Sequence, residues 1–415
     1  MNSRHVHPWV FMVLIIPFGV VSGYVSVTLA YQLKQAGVSV GQVAGLVALS
    51  VLPHTWKFFW APVIDTTLDQ KQWYLLGGIP CAIGIAAMGF FPATQLGLAA
   101  LSAVVFLASL TTTLVGMSVE SLMAHGTPEE LKGRAAGWFQ AGNLGGMGIG
   151  GGLGLFLVER LPAPWMASCS VGTLCLLCSV ALVGMPTPAR PSDEIGLVSG
   201  LAATLKDVGR LVWTRVGVLA LVLCVLPIGT GAASGLWSAV AGEWRASADT
   251  VALVSGVLGG IIYAAGCLMG GWLCDRMDRK TAYVWFGIFQ AAAAVAMALL
   301  PRNPAMFVLW SSVYAFITGF TYAAFSAFVL EAIGRGAAAT KYSALASLSN
   351  VPIYYMTNVD GWAHDLWGSN GMLFTEAVLG VVGAVIFVAL TKILWRGRTH
   401  SGADIGSTEA QKTGK

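Results

Sequence analysis

Gly270-Gly271-Trp272-Leu273-Cys274-Asp275-Arg276-Met277-Asp278-Arg279-Lys280 is a small-residue helix end that runs into a short charged turn, with long apolar segments on either side. A loop of about seven residues with five charges, set between two membrane-length runs, belongs at a water-facing membrane surface. Counting back 210 residues from Asp275 gives Asp65, the end of Lys57-Phe58-Phe59-Trp60-Ala61-Pro62-Val63-Ile64-Asp65. The same step maps Pro227 onto Pro17 and Gly229 onto Gly19, and a step of 211 maps Glu331 onto Glu120. The chain reads as one unit written twice, with the loop marking the same joint in each copy.

Composition supports a membrane setting. Only 10% of the 415 residues are charged, 56% are hydrophobic, and the mean hydropathy is +0.74. A soluble domain carries about 25% charged residues, and this chain has too few to cover a water-facing surface. The net charge of +4 gives no reason to expect nucleic acid as a partner. The seven cysteines sit almost entirely in apolar runs, so no disulfide framework is expected, and Cys175-Leu176-Leu177-Cys178 has neither a second pair nor a nearby His to make a metal site. Neither a metal nor a cofactor is expected.

Spanning-length apolar runs lie at about 9–33, 41–61, 73–91, 97–120, 133–158 and 165–184, then at 215–240, 251–273, 283–300, 304–331, 341–362 and 371–395. The first is too long for a signal peptide and reads as an uncleaved helix. The expected fold is an all-α polytopic membrane protein of twelve transmembrane helices in two six-helix repeats. Its expected parts are an N-terminal half over 1–184, a linker over 185–214, a C-terminal half over 215–395 and a polar, disordered tail over 396–415. Pro186, Pro188 and Pro191 open the linker, where Val198, Leu201, Leu205, Val208 and Val212 form an apolar stripe opposite Lys206 and Arg210. That stripe fits an amphipathic helix on the lipid surface or one docked on the bundle.

Basic residues set the orientation. The termini and even-numbered junctions hold nineteen Lys and Arg, whereas the odd junctions hold only Lys34, Arg160, Arg245 and Arg302. Both termini and the opening loop are therefore expected in the cytoplasm. Six helices, a linker and six more is the architecture of parallel-repeat secondary transporters, in which substrate binds near the midplane between rocking halves.

Several side chains could do chemistry. Asp275, Arg276, Arg279 and Lys280 form a candidate gate latch, with Asp275 capping a helix end, and Asp65 marks a weaker copy without the basic pair. Glu120 and Glu331 end the fourth helix of each half; they either pair with nearby basic groups or carry protons. His54 is a further proton-coupling candidate, and Lys57 either snorkels to the surface or meets an anionic substrate. The run Gly142–Gly154 contains a formal G-x-G-x-x-G, but no strand precedes it and membrane surrounds it, so nucleotide binding is rejected in favour of close helix approach. Gln140 and Asn143 are its polar members. In the eleventh helix Asn350, Tyr354 and Asn358 repeat every four residues, a polar stripe that faces a cavity or another helix. Tyr24, Tyr31, Gln32, Trp237 and Tyr263 could complete an aromatic-polar site for a bulky solute. No nucleophile elbow, metal-ligand cluster or catalytic carboxylate pair argues for an enzyme.

Gly271-x-Leu273-x-Asp275-Arg276-x-x-Arg279-Lys280 resembles the loop between the second and third helices of a major facilitator superfamily half. Members usually have Gly where Asp278 stands. Within that superfamily, Lys57-Phe58-Phe59-Trp60-Ala61-Pro62 through Asp65 resembles the signature of the AmpG-type muropeptide permeases. The stretch from Lys341 to Asn350, with Asp360-Gly361-Trp362, resembles their eleventh helix. The grouping includes acetyl-CoA and siderophore carriers, and this chain departs from the permeases at Asn143, near which they often carry an arginine. The resemblance implies a monomeric inner-membrane transporter for a small-molecule substrate with protons. Proton-coupled import of a cell-wall muropeptide is the first expectation. A siderophore or other amphiphilic metabolite, drug efflux, and a transporter-like sensor are the alternatives.

Overall fold

A computed structural model of the chain describes residues 7–60, 63–64, 67–127, 132–185, 214–333 and 338–396, with Val198, Ser199, Ala202, Lys206 and Gly209. The stripe expected in the linker (apart from its first residue, Val198), the tail beyond 396, and Asp65 lie outside the described residues. Among the described residues twelve helices run through the protein: α1 (Trp9–Gln35), α2 (40–59), α3 (Gln70–Met88), α4 (Leu98–Gly126), α5 (132–160), α6 (Pro164–Gly184), α7 (215–240), α8 (Ala248–Cys274), α9 (Arg279–Leu299), α10 (Pro304–Ile333), α11 (338–367) and α12 (369–396). Seven of them are long and apolar enough to cross a membrane as single continuous spans, and α11 with α12 forms an eighth apolar stretch that turns back at Gly368, φ 67°. Of the rest, α2 tightens into a 3-10 helix over Leu52–Phe59, with Pro53 in its first turn, α3 opens on the polar Gln70-Lys71-Gln72, and α7 is broken.

The two halves repeat their packing. Helix α3 lies against α4 and α6 as α9 lies against α10 and α12, and α1 lies against α5 as α7 lies against α11. Outward faces are covered with large apolar side chains such as Ile83, Leu107, Val183, Leu268 and Ile393, as lipid contact requires.

Glycines bring the inner helices together. Gly19 and Gly23 of α1 sit directly on the α5 backbone at Asn143 and Met147, and Gly150 of α5 sits on that of α1 at Val20. Between the halves, a Cβ on Gly256 of α8 would lie 2.5 Å from the Gly152 backbone of α5. At this crossing three helices each carry a π-helical turn, Tyr24–Leu29, Ile149–Leu153 and Ala252–Leu258, and the three turns meet. Such turns leave backbone carbonyls poorly served and cluster at functional places. Thr28 serves two of them, its hydroxyl donating to the carbonyls of Gly150 at 2.9 Å and Gly151 at 3.2 Å.

The apolar interior is not evenly shared. We call the face bearing the α1–α2 turn the far face and the opposite one the termini face. Toward the far face one core spans both halves: Val25, Leu29, Leu33, Val43 and Val47 pack with Leu236, Trp237, Val240 and Trp244. Toward the termini face each half has its own core, around Phe11, Leu14, Tyr74 and Val115 in one and Leu223, Tyr283, Phe286, Phe328 and Phe387 in the other. There α2 and α11 keep the halves in touch.

Candidate functional site

The break in α7 is written in Pro227, Gly229 and Gly231. Proline removes a backbone donor, and the two glycines take left-handed φ values of 59° and 71°, which residues with a Cβ rarely adopt. Unpaired backbone polar groups inside a membrane are costly, so neighbouring helices supply partners. Tyr355 of α11 donates to Val225 O at 2.7 Å, Tyr283 of α9 to Ile228 O at 2.8 Å, and Thr321 of α10 to Gly229 O at 2.9 Å. Gln290 of α9 satisfies both ends of its amide when its NH2 faces Gly229 O at 3.2 Å and its oxygen accepts from Gly231 N–H at 3.1 Å. In the other half, α1 runs helically through the matching Pro17 and Gly19 because Gly19 is used for close approach to α5. The partners still correspond: Tyr74 donates to Leu14 O at 3.0 Å and Cys81 lies 3.9 Å from Pro17 O, each 209 residues before Tyr283 and Gln290.

Beside the break lies a group of buried acids. Asp360 of α11 is 0% exposed and Glu376 of α12 only 6%. Tyr314 of α10 donates to Glu376 Oε1 at 2.5 Å, and Thr230 at the break reaches the same oxygen at 3.4 Å. The two carboxyl groups are within hydrogen-bonding reach of each other. Yet Asp360 Oδ1, Asp360 Oδ2 and Glu376 Oε2 have no hydrogen-bond partner among the described residues. No cation forms an ion pair with either acid among the described residues. Trp237 stands edge-on to Tyr314 at 5.2 Å, its indole N–H also without a partner.

The N-terminal half has a different pair. Lys57, at the tight end of α2, meets Glu120 of α4 at 3.1 Å, with side chains 14% and 32% exposed. Its ammonium lies 5.7 Å from the centre of the Phe18 ring, and His54 packs against the same ring at 5.0 Å. Glu120 therefore pairs with a lysine two helices earlier in the chain. The side chain of Glu331, its repeat counterpart, lies outside the described residues.

At the far face, charged groups run from one half to the other. Glu243, just past α7, binds Arg302 at 2.6 Å and His364 at 2.5 Å. Arg302 also donates to Asn370 at 2.6 Å. Burial pushes the Glu243 carboxyl up, but the hydrogen bond with His364, the nearby Ser369 hydroxyl and the charges of His364 and Arg302 outweigh it and hold the group below its ordinary value. Next to His364, Asp365 crosses the interface: it accepts from Ser39 Oγ at 2.7 Å and from Gly41 N–H at 3.0 Å. Those are the first groups of α2, where free N–H donors and the helix dipole favour an anion. Close by, Arg160 meets Asp249 at 3.2 Å, but at 46% and 69% exposure this second bridge contributes little.

The expected cavity residues do not all gather in one place. Tyr24 is fully buried in the N-terminal half against Gly154. Tyr31 and Gln32 lie half-buried near the far end of α1, and Tyr263 of α8 pairs with Tyr322 of α10 at 6.0 Å. Gln140 and Asn143 adjoin each other on α5 at 3.5 Å. The stripe on α11 is half-buried: Asn350 and Asn358 turn their NH2 groups to carbonyls of their own helix, and Asn358 stands near Gly45 of α2. Of the expected residues, Trp237 packs against Tyr314, the tyrosine that donates to Glu376.

In the opening loop, Asp278 caps α9, accepting from Thr281 N–H at 2.9 Å and its hydroxyl at 2.8 Å. Asp69, 209 residues earlier, caps α3 the same way through Gln72 N–H at 2.9 Å. The aspartate that stands where glycine is usual is thus an N-cap shared by both halves. Asp275 is exposed, Arg276 stacks on Trp272 with its guanidinium 3.8 Å from the ring centre, and Arg279 reaches Ala327 O of α10 at 3.4 Å.

Asp360 enters the eleventh-helix resemblance with no role attached to it, and Glu376 belongs to no motif. The available signal was a lone glutamate within the apolar run Met372–Val388. No cluster of three or more His, Cys, Asp or Glu suited to a metal occurs among the described residues.

Residues 9–356 match the Major Facilitator Superfamily family. No curated protein matches the chain. Among solved structures, the nucleoside transporter NupG superposes with a TM-score of 0.69 at 14% identity, covering 94% of this chain and 100% of that one. A D-xylose–proton symporter superposes with a TM-score of 0.71 at 12% identity, covering 91% and 96%. The xylose transporter XylE from E. coli, in a partially occluded inward-open conformation, gives 0.69 at 11% identity, covering 92% and 97%.

Proposed function

Because this chain belongs to the major facilitator superfamily, we propose that it is a proton-coupled secondary transporter that imports a bulky polar solute by alternating access. The observation that carries this reading is the uneven core: one apolar seal joins the halves at the far face, and two separate cores lie toward the termini face. The three polar bridges described between the halves, from Asp365 to Ser39 and Gly41 and from Arg160 to Asp249, also lie at the far face. A transporter closed outside and poised toward the cytoplasm has this asymmetry. With the basic residues counted onto the termini face, the far face is the outer face of the bacterial inner membrane and both termini are cytoplasmic.

The cargo we favour is a cell-wall muropeptide, from the resemblance of Lys57–Asp65 and of α11 to the muropeptide permeases. A siderophore or other amphiphilic metabolite is the second reading, drawn from the same grouping. Uptake of labelled muropeptide into proteoliposomes under an imposed inward proton gradient tests the proposal. Accumulation that collapses with a protonophore supports it. Equal flux with and without the gradient removes proton coupling, and gradient-driven uptake of a siderophore but not of muropeptide replaces the cargo.

A further inference from the structure

Among the described residues, three of the four oxygens on Asp360 and Glu376 lack a hydrogen-bond donor, although both side chains are almost wholly inside the protein. An ionised carboxylate so placed is costly, and two facing each other without a cation repel as well. A neutral carboxylic acid facing a carboxylate has no such problem, because its O–H donates across the gap. One proton would join two of these three oxygens in an O–H···O bond and remove one of the two negative charges. Tyr314 and Thr230 already serve Glu376 Oε1, which leaves Oε2 and the two oxygens of Asp360 to hold it.

We propose that the Asp360–Glu376 pair is the proton-binding site of this transporter, holding one proton shared between the two carboxyls in the state described and releasing it as the halves rearrange. The proposal rests on the proton-coupled reading above. Among the described residues, the titratable groups facing Asp360 are Glu376 from α12 and Tyr314 from α10. Helices α7 and α9 present Thr230 and Gln290, which do not titrate, and α2 meets this stretch of α11 at Gly361 through Gly41 and Ala44. Release breaks one O–H bond, passes the proton to water on the termini face, and leaves both carboxyls charged. Their repulsion acts between α11 and α12, and α11 is the helix whose next turn carries His364 and Asp365, the groups that reach Glu243 and the start of α2. Loss of the proton thus strains the far-face closure, and its return restores it. This connection needs no group outside one helix and its neighbours.

Infrared difference spectroscopy of the full-length protein in lipid tests the site without knowing the cargo. A pH step on the wild type should give a protonated-carboxyl stretching band that shifts in heavy water. Asp360→Asn and Glu376→Gln should each abolish that band. If it survives unchanged in both variants, the proposal is overturned, whether or not transport is proton-driven. Labelled muropeptide uptake provides the separate arm. A band lost in both variants, in a protein whose wild type shows no gradient-driven uptake, leaves the proton site standing and removes the coupled reading. Gradient-driven accumulation lost in both variants, with muropeptide exchange retained, is the expected result for a coupling site. Accumulation intact in both would overturn the assignment. If one variant fails to fold, the other decides.

Discussion

The carboxylate of Asp365, at the end of α11, accepts the backbone N–H of Gly41 at 3.0 Å across the boundary between the two halves. Gly41 can offer that N–H because it has no side chain: a Cβ there would run into the Asp365 carboxylate itself. An anion at a helix N-terminus with charge-assisted bonds is worth about 1–2 kcal/mol, so its loss should move a two-state gate by about tenfold. In Asp365→Ala, a cysteine placed at Ser238, buried beneath the far face, should react about tenfold faster with a membrane-impermeant maleimide. An unchanged rate would mean the apolar seal closes this face unaided.

The Lys57–Glu120 pair is sheltered enough that removing one partner should cost more than removing both. Lys57→Met leaves Glu120 without its cation and should destabilise by about 1–3 kcal/mol. Lys57→Met with Glu120→Gln should recover much of that in thermal unfolding. If Glu120→Gln alone keeps gradient-driven uptake, the glutamate acts as a partner to lysine and carries no proton. Additive losses in the double variant would show that the two groups act independently.

Gly256 of α8 meets Gly152 of α5 backbone to backbone, and a Cβ at 2.5 Å leaves no room to repack. Gly256→Val should cost about 1–3 kcal/mol through overpacking and separate the halves along this crossing. Gly271→Val, whose Cβ would meet open space, is the control. A thermal midpoint for Gly256→Val equal to that control would deny the close approach any weight.

Acid should loosen the far face through Glu243. Its folded value lies below the ordinary one, so its stabilising contribution is present above the usual carboxylate range and is lost as pH falls through the folded value. Glu243→Gln should therefore unfold at lower temperature than wild type at neutral pH. The two curves should converge as pH drops below the ordinary carboxylate range and through the folded value. Melting midpoints followed from pH 7 to acid in one detergent would reveal this, and a gap that stays constant would place the stabilisation elsewhere.

The cap at Asp278 should behave as a local stability element. Asp278→Ala should cost about 1 kcal/mol and Asp278→Ser much less, since serine also accepts from the α9 N–H groups. A large transport loss in Asp278→Ser, without loss of stability, would instead point to a role in gating.

What the sequence determined by itself was the frame. Apolar runs of spanning length, the scarcity of charge and the 210-residue recurrence of Asp65/Asp275 and Pro17/Pro227 required twelve helices in two copies, because lipid admits few other ways to bury a backbone. It also marked the glycine-rich stretch of α5 as a place of close approach. The tertiary structure decided what equal-looking residues do. Pro17 and Pro227 correspond, yet α1 continues through the first and α7 breaks at the second, because Gly19 meets the α5 backbone while Gly229 and Gly231 take left-handed turns held by Tyr283, Gln290 and Thr321. Asp360 and Glu376 lie sixteen residues apart on different helices, and the reversal at Gly368 is what brings them face to face. Helical period places residues on a face of their own helix. Which faces meet, and so which acids lose water and lack a donor, is settled only by packing among helices distant in the chain.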